Sequence, residues 1–367
     1  MTGQLLHTTV FVVPTGIGAA IGGYAGDALP VARALAQVTD RLITHPNVLN
    51  GAQLYWPMAN AYYVEGYGLD QFAAGCWGLR PVHQNSIGLV IDQAVEDELR
   101  WRHLQAADAA RATLGLNVST HIVTDSSLGV SLKTTASGAS WGTVENPGSL
   151  LRAAERLINE AGVRAIAVVA RFPDDEDSPA LAAYRQGQGV DPLAGVEAVI
   201  SHLVVRTFKL PCAHAPALSP LPLDTQISPR SAAEEIGYTF LPCVLAGLSR
   251  APQFVCQRDH PSAANSAVIT ADQVDAIVVP ATAFGGSAVM SLAPQLSRRG
   301  AQVIAVGENS TKMAVEAADL GIRAIAVDTY LEAVGAIAAY RAGVTTDALR
   351  PHIQSLPALK RTRIYCS

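Results

Sequence analysis

The sequence predicts an α/β protein with mostly parallel sheets flanked by helices, because short apolar runs alternate with helix-forming stretches. Three runs, 276–279, 303–306 and 324–327, contain β-branched residues and are bounded by glycine, proline or polar residues, as buried strands are. The stretches 287–298 and 310–320 between them have helical composition. Such alternation is typical of the βαβ units of a parallel sheet.

The same local pattern occurs near both ends of the chain. Val-Val-Pro, a turn of small residues and two glycines are found at 12–23 and again at 278–286. The pattern either repeats a βα unit or is a common way of leaving a buried strand. A repeat suggests two similar Rossmann-like βα lobes, which we place at residues 1–219 and 220–367. One continuous domain also fits the length of 367 residues.

Further elements follow from residue spacing and from glycine or proline at their ends. Glu96 and Arg100 form an i,i+4 pair in a stretch that Gly115 ends, so we predict a helix at 96–114. The other predicted helices are 27–43, 147–162 and 193–205. The other predicted strands are 8–13, 86–91, 118–124 and 165–170.

Charge and hydropathy exclude several classes of protein. The net charge is −5 and no dense basic run occurs, so nothing favours a nucleic-acid partner. The N-terminus has no basic region, and no apolar run approaches the roughly 18 residues of a membrane span. We therefore expect a soluble, cytoplasmic protein with a small-molecule substrate and no nucleic-acid or membrane partner. A homo-oligomer is compatible with the sequence.

Cys212 and His214 are candidates for catalytic chemistry. They lie two residues apart, which puts both side chains on one face of an extended segment. A thiol beside an imidazole can act as acid, base or nucleophile, or can ligate zinc or iron with further residues. Cys243, in a predicted apolar strand, and Cys256 are candidates for those further ligands. The alternative is that Cys212 is simply buried, and five dispersed cysteines indicate reduced thiols.

Two glycine-containing loops are candidates for binding an anion. The residues concerned are Gly16, Gly18, Gly22, Gly23, Gly285, Gly286 and Ser287. Backbone N–H groups of such loops can hold a carboxylate or phosphate, and close packing that requires glycine is the alternative. The first loop approximates the dinucleotide-binding fingerprint but misses its spacing by one residue, so no organic cofactor is favoured.

Two irregular stretches also bear on function. The stretch 45–68 mixes aromatic residues with histidine and asparagine and has no helical or strand period. It suits a pocket with apolar walls and a few polar groups, and it equally suits a loop held by side-chain amides. His45, Asn47 and Asn50 are its binding candidates. The segment 134–142 is predicted to be a flexible loop that could close as a lid.

Arg230 and Glu308 are charged residues near predicted helix starts. A Ser-Pro pair places Arg230 in a first helical turn, where a cation opposes the helix dipole. Binding a substrate carboxylate or phosphate would explain Arg230, and an i,i+4 pair with Glu234 is the alternative. Glu308 directly follows a strand and is a candidate general base, with Asn309 and Thr311 as binding candidates beside it.

Four motifs make the chain similar to a known family. They are Asn-Val-Leu-Asn-Gly from position 47, Cys-Ala-His-Ala-Pro from 212, Ser-Pro-Arg-Ser-Ala-Ala-Glu-Glu-Ile-Gly-Tyr from 228 and Gly-Glu-Asn-Ser-Thr from 307. With these motifs the chain resembles domain of unknown function 3326, a family found mainly in cyanobacteria and plant plastids. The resemblance spans most of the chain and implies a soluble, bacterial-type protein. It implies no particular activity, cofactor or catalytic residue.

The functional hypothesis therefore depends on the residues. We expect an isomerase, lyase or hydrolase that acts on a small anionic metabolite, a carboxylate or phosphate ester, without an organic cofactor. Cys212, His214 and Glu308 would share the acid–base or nucleophilic work, while the glycine loops and Arg230 would hold the anion. The alternatives are a nucleotide-dependent oxidoreductase and a non-catalytic small-ligand-binding protein.

Overall fold

The structure, a computed structural model, describes residues 6–51, 55–136, 138–174, 178–235, 240–256 and 267–356. The cysteine at 366 and residues 236–238 of the third motif lie outside these ranges. The strands are β1 (Thr8–Phe11), β2 (Arg41–Thr44), β3 (Ala61–Tyr63), β4 (Trp77–Arg80), β5 (Ile87–Ile91), β6 (Val118–Val123), β7 (Val130–Thr134), β8 (Ser140–Val144), β9 (Ala165–Arg171), β10 (Cys212–Ala217), β11 (Gln253–Cys256), β12 (Ala276–Pro280), β13 (Gln302–Val306) and β14 (Ile325–Val327).

Helices pack around these strands. They are α1 (Leu29–Gln37), α2 (Pro46–Leu49), α3 (Gly66–Ala73), α4 (Asp97–Leu114), α5 (Pro147–Ala161), α6 (Pro179–Arg185), α7 (Ala194–Phe208), α8 (Ala232–Glu235), α9 (Leu241–Ser249), α10 (Ser287–Arg299) and α11 (Tyr330–Arg341). Short 3₁₀ turns occupy Ala271–Gln273, Ala318–Leu320 and Thr346–Leu349. The predicted α/β class, with mostly parallel sheets flanked by helices, is confirmed.

The larger sheet has the strand order β14-β13-β12-β1-β2-β3, and all its strand pairs are parallel. Its two central strands come from opposite ends of the chain, with Thr9 opposite Ala276. The two Val-Val-Pro segments thus leave neighbouring strands of one sheet. The division into lobes at 1–219 and 220–367 stays a prediction, but the larger sheet takes strands from both sides of that boundary.

The smaller sheet, of order β10-β9-β5-β6, is also parallel and comes from the middle of the chain. β9 lies inside this sheet, and its residues alternate between two apolar layers. Ala167 and Val169 pack on one side with residues of α4 and α9, while Ile166 and Val168 pack on the other with residues of α5 and α7. A strand covered on both faces is continuously apolar, which explains why 165–170 was correctly predicted.

The remaining strands form two antiparallel two-stranded ribbons, one of β11 and β4 and one of β7 and β8. The second ribbon corrects the lid prediction for 134–142. Ser140 pairs with Thr134 and Trp141 with Lys133, and the Lys133 ammonium lies 4.7 Å from the centre of the Trp141 ring. Residues 134 and 140–142 are therefore β-strand, because cross-strand pairs stabilise a conformation that the small residues alone do not predict.

Several predicted helix bounds hold and others do not. The helices at 96–114 and 147–162 are confirmed, and each ends at a left-handed glycine, Gly115 or Gly162. The helix predicted at 27–43 is wrong beyond Gln37, because its apolar residues after position 40 form β2.

Two further predictions of local structure are wrong. The helix predicted at 310–320 is reduced to a 3₁₀ turn at its end, because Val315 forms a β-bridge with Ala283 in the middle of the segment and so interrupts any helix. Cys243 lies in α9 rather than in a strand; Pro242 opens that helix, and a buried apolar run of nine residues suits either structure.

Candidate active site

A cavity of about 220 Å³ lies where the carboxyl ends of the two parallel sheets approach each other. The larger sheet contributes residues that follow β2 and β3, and the smaller sheet contributes the end of β10. One face of α7 and parts of α6 and α8 close the sides. Ligands of open α/β sheets bind at the carboxyl ends of strands, so this is the position expected of a functional site.

Glu65 and His202 form the first acid–base pair of the cavity. The Glu65 side chain is 2% exposed, and its Oε2 accepts hydrogen bonds from the N–H groups of Tyr67 and Gly68 at the start of α3. Its Oε1 contacts Nδ1 of His202. Burial acts to lower the pKa of His202, but the hydrogen bond and charge of Glu65, with the charge of Asp70, outweigh burial and raise it. The pair therefore favours a protonated imidazole.

Glu65→Gln is expected to lower the pKa of His202, because the glutamine amide keeps an oxygen for the α3 cap but removes the charge. The stabilisation that His202 contributes through this pair is fully present below the unfolded pKa of histidine and is lost as pH rises through the raised folded pKa. An NMR titration of the imidazole measures the shift. Glu235→Gln is the matched control, since Glu235 lines the same cavity but pairs with Arg185.

His214 and Glu197 form the second pair. Nε2 of His214 lies 3.6 Å from a carboxylate oxygen of Glu197, and Nδ1 lies 3.1 Å from the hydroxyl of Ser201. Glu197 and Ser201 are four residues apart on α7, so one turn of helix contacts both sides of the ring. The imidazole is thereby held in one orientation between a hydroxyl and a carboxylate, an arrangement that can accept and return a proton.

Two more carboxyl groups of the cavity hold protons at unusually high pH. Burial, followed by the charges of Glu197 and Glu234, raises the pKa of Asp191 well above its usual range. Burial also raises the pKa of Glu234 to about 7, against the hydrogen bonds that it accepts from Ala25 N–H and Tyr184 Oη. Neighbouring acids that cannot all ionise share protons, so this side of the cavity is only partly charged at neutral pH.

Glu234→Gln should flatten the pH dependence of stability. Between pH 4.5, the ordinary value, and about 7, the unfolded chain loses the Glu234 proton while the folded chain keeps it, so stability falls as pH rises. Urea unfolding at pH 5 and pH 8 measures this fall in the free energy of unfolding. We expect the fall from pH 5 to pH 8 to be larger in the wild type than in Glu234→Gln by on the order of 2 kcal/mol. Glu160→Gln, on the exposed surface, should behave as the wild type; an equal loss in both variants would contradict the assignment.

The first glycine loop holds an anion, but the anion belongs to the chain. The Asp27 carboxylate accepts hydrogen bonds from the N–H groups of Gly22 at 2.6 Å and Tyr24 at 3.4 Å, and Arg230 lies 3.4 Å from it. Arg230 therefore pairs with Asp27 instead of Glu234, and it precedes α8 rather than lying in its first turn. Binding of a substrate carboxylate or phosphate by the loop and Arg230 stays a prediction.

Close packing accounts for the glycines themselves. A Cβ on Gly22 would lie 2.5 Å from a Val13 methyl group, and one on Gly23 would lie 2.2 Å from the Ala19 carbonyl oxygen. Gly16 and Gly18 have left-handed backbones beside Ser140 and Gly189. Other parts of the chain thus cover the loop on which a dinucleotide would need to lie.

The remaining predicted residues divide between the cavity and other places. His45, Asn47, Asn50 and His214 line the cavity. Gly285, Gly286, Ser287, Glu308, Asn309 and Thr311 do not. Glu308 accepts a hydrogen bond from Tyr330 N–H at the start of α11, which is the role of a helix cap. Asn309 is fully buried against Ile21 and Tyr330, and Thr311 bonds to Thr282.

Cys212 shares a face of β10 with His214 but does not reach the cavity. Its side chain is fully buried in the apolar layer beside α5 and α7, and burial raises the pKa of the thiol well above its usual range. Cys243 donates to the Gly51 carbonyl oxygen from α9. Within the described ranges, no three His, Cys, Asp or Glu side chains come together as ligands of a metal ion, so the suggested zinc or iron ligands do not converge there.

Sequence reasoning missed most of the acid–base groups. Glu65, Asp191 and the α7 residues Glu197 and His202 come from separate parts of the chain, and only their neighbours in space reveal them. One signal was available: between Ala194 and Val205, α7 is apolar except at positions 197, 201 and 202, and the i,i+4 residues Glu197 and Ser201 lie on one face of the helix. Glu65 also lies two residues after β3 and precedes a glycine, as a site residue often does.

Comparison with known proteins identifies the family. The family model described as Protein of unknown function (DUF3326) matches residues 8–350. The chain belongs to that family. A relative of this DUF3326 protein, named as an uncharacterized lipoprotein of Synechococcus sp., is 58% identical over 362 residues, which cover 99% of this chain and 98% of the relative. No solved structure matches the chain.

The relative corrects the predicted location. Its name, lipoprotein, does not fit a cytoplasmic protein, so that expectation is wrong. A globular composition indicates that a domain folds in water, but it does not indicate in which compartment the domain folds. The location predicted from composition was wrong for that reason. In the part of the chain that the structure describes, no helix combines the length and apolarity needed to cross a membrane.

Proposed function

We propose that this DUF3326 protein is an enzyme that moves a proton within a small polar molecule bound in the cavity. One observation supports the proposal most: two histidine–glutamate pairs, Glu65–His202 and Glu197–His214, line the same 220 Å³ space. A protonated His202 would donate a proton, and His214 would accept one. Such a pair of roles suits an isomerase or a lyase and needs no organic cofactor.

The charge of the lining supports a neutral or cationic substrate. Five carboxyl side chains line the cavity, at positions 65, 191, 197, 234 and 235, whereas Arg185 is its only arginine or lysine within the described residues. Arg185 already forms a double hydrogen bond with Glu235, at 2.8 and 2.9 Å. The anionic substrate that the sequence predicts stays untested, but this lining gives it no unpaired cation to bind.

Deuterium exchange tests the proposal without knowledge of the substrate. The protein is incubated in D₂O with a panel of small amino acids, hydroxy acids, oxo acids, amines and sugars, and loss of C–H signals is followed by proton NMR. We expect catalysed exchange in one structural class of the panel, and no exchange with the His202→Gln, His214→Gln double variant. Compounds that bind the wild type, seen as shifts of its histidine signals, without any exchange would instead indicate a non-catalytic binding protein.

A further inference from the structure

His45 is a buried histidine that lines the cavity. The residue is 8% exposed and follows β2 directly. Its Nε2 accepts a hydrogen bond from the backbone N–H of Val13 at 3.1 Å. It precedes α2, but its side chain caps none of that helix's N–H groups. The ring is thus held by one nitrogen while the other is not used by the helix.

The hydrogen bond from Val13 determines where the ring proton lies. A backbone N–H can only donate, so Nε2 of His45 must carry no proton. The neutral ring then carries its proton on Nδ1. Burial lowers the pKa of His45 to about 4, which keeps the ring neutral near pH 7. Nδ1–H has no hydrogen-bond partner among the described residues, and the residue lines the cavity.

Three other polar side chains of the cavity, Asn47, Asn50 and Ser231, are already used. The Asn47 amide donates to the Gly22 carbonyl oxygen at 2.6 Å, and the Asn50 oxygen accepts from the Tyr63 hydroxyl at 3.1 Å. The Ser231 hydroxyl donates to the Tyr184 carbonyl oxygen at 2.8 Å. The His45 N–H is therefore a fixed donor that a bound molecule can satisfy.

We propose that His45 donates its Nδ1–H to a carbonyl oxygen of the substrate, which makes the substrate class small carbonyl compounds with a C–H bond next to the carbonyl. This inference rests on the proposed function. His214 takes the proton of that C–H bond, the C–H electron pair forms a carbon–carbon double bond, and the carbonyl π pair moves to the oxygen. His45 stabilises that oxygen. The carbon–carbon π pair then takes a proton from His202 at the same carbon while an oxygen pair re-forms the carbonyl, which completes the isomerisation without any oxidant or reductant. His214 and His202 return to their starting states by exchanging protons with water.

A neutral donor suits this step. An imidazole that stays neutral keeps its N–H while negative charge develops on the oxygen, and a donor already oriented by the fold need not reorganise. A charged His45 could not accept from Val13, so protonation would break the bond that orients the ring. The packing around His45 thus supports one tautomer and one direction of donation.

Nitrogen NMR of histidine-labelled protein tests the donor itself. We expect His45 to show a protonated Nδ1 and an unprotonated Nε2 from pH 5.5 to pH 8. A protonated Nε2, or titration of the ring in that range, would overturn the inference. This readout needs no substrate and leaves the proposed function to the exchange experiment.

Binding of acetohydroxamate, a small planar mimic of an enolate, tests the ligand class. His45→Gln keeps an oxygen to accept from Val13 but loses the ring donor, so we expect acetohydroxamate to bind it about tenfold more weakly than the wild type. His103→Gln, at a buried histidine of α4 outside the cavity, should bind as the wild type does. Ethanolamine, which lacks a carbonyl, should bind the wild type and His45→Gln equally.

The outcomes separate the two proposals. If acetohydroxamate shifts the His202 and His214 signals but binds His45→Gln as tightly as the wild type, the role of His45 is overturned while proton transfer stands. If deuterium exchange falls about 100-fold in His45→Gln, as expected on loss of one oxyanion donor, both are supported. If acetohydroxamate shifts no histidine signal of the cavity, the carbonyl class is overturned.

Discussion

His214→Gln is expected to lower catalysed proton exchange by about 100-fold or more while the protein stays folded. A positioned general base contributes about 10²–10⁴-fold, and glutamine can still bond to Ser201 but cannot take a proton. The imidazole side chain is only 15% exposed, so replacement by a residue of similar size limits the loss of packing. Rates are measured by proton NMR in D₂O with whichever compound of the panel exchanges.

His121→Gln is the matched control for this prediction, because His121 lies exposed on β6 of the same sheet. It should exchange at the wild-type rate. Equal rates in His214→Gln and the wild type would remove His214 from the chemistry. Unchanged ligand binding in His214→Gln, together with no exchange in any variant or in the wild type, is the result that the non-catalytic ligand-binding alternative predicts.

Asn309→Ala is expected to lower the free energy of unfolding by about 3–5 kcal/mol. The fully buried Asn309 side chain accepts from Ile21 N–H at 3.0 Å and donates to the Ile21 carbonyl oxygen and the Tyr330 hydroxyl, both at 2.7 Å. Its removal leaves three polar groups without this partner, and each buried unsatisfied group costs about 1–3 kcal/mol. Urea denaturation with an unchanged slope measures the difference.

Asn146→Ala provides the comparison, since its amide makes one exposed hydrogen bond to the Ser127 carbonyl oxygen. We expect Asn146→Ala to lower the free energy of unfolding by less than about 1 kcal/mol. A loss of that same small size for Asn309→Ala would show that the glycine loop does not depend on this side chain. Asn309 would then be free for the substrate-binding role that the sequence suggested.

Local patterns predicted much of the fold because the responsible interactions lie within a few residues. Helix α4 follows from its i,i+4 pairs and from Gly115, and strand β9 from a continuous apolar run covered on both faces. The errors occurred where distant contacts override local preference. Residues 310–320 have helical composition, yet the bridge between Ala283 and Val315 interrupts the helix that composition favours.

The candidate site was predicted in part. His45, Asn47, Asn50 and His214 line the cavity, because residues after strands gather at the carboxyl edge of a parallel sheet. Cys212 was misleading, since spacing along a strand assigns a face but not what covers that face, and α5 and α7 cover this one. Glu308 was misleading for a related reason: a helix start next to it, at Tyr330, uses its carboxylate.

The sequence by itself determined the α/β class, the family and the short strands and helices, since these depend on neighbouring residues. Only the tertiary structure decided that Glu65 meets His202, that Asp27 occupies the glycine loop, and that Val13 sets the tautomer of His45. Each of these contacts joins groups whose side chains or backbone would be satisfied by water in an isolated segment. Burial removes that water and makes the partner specific.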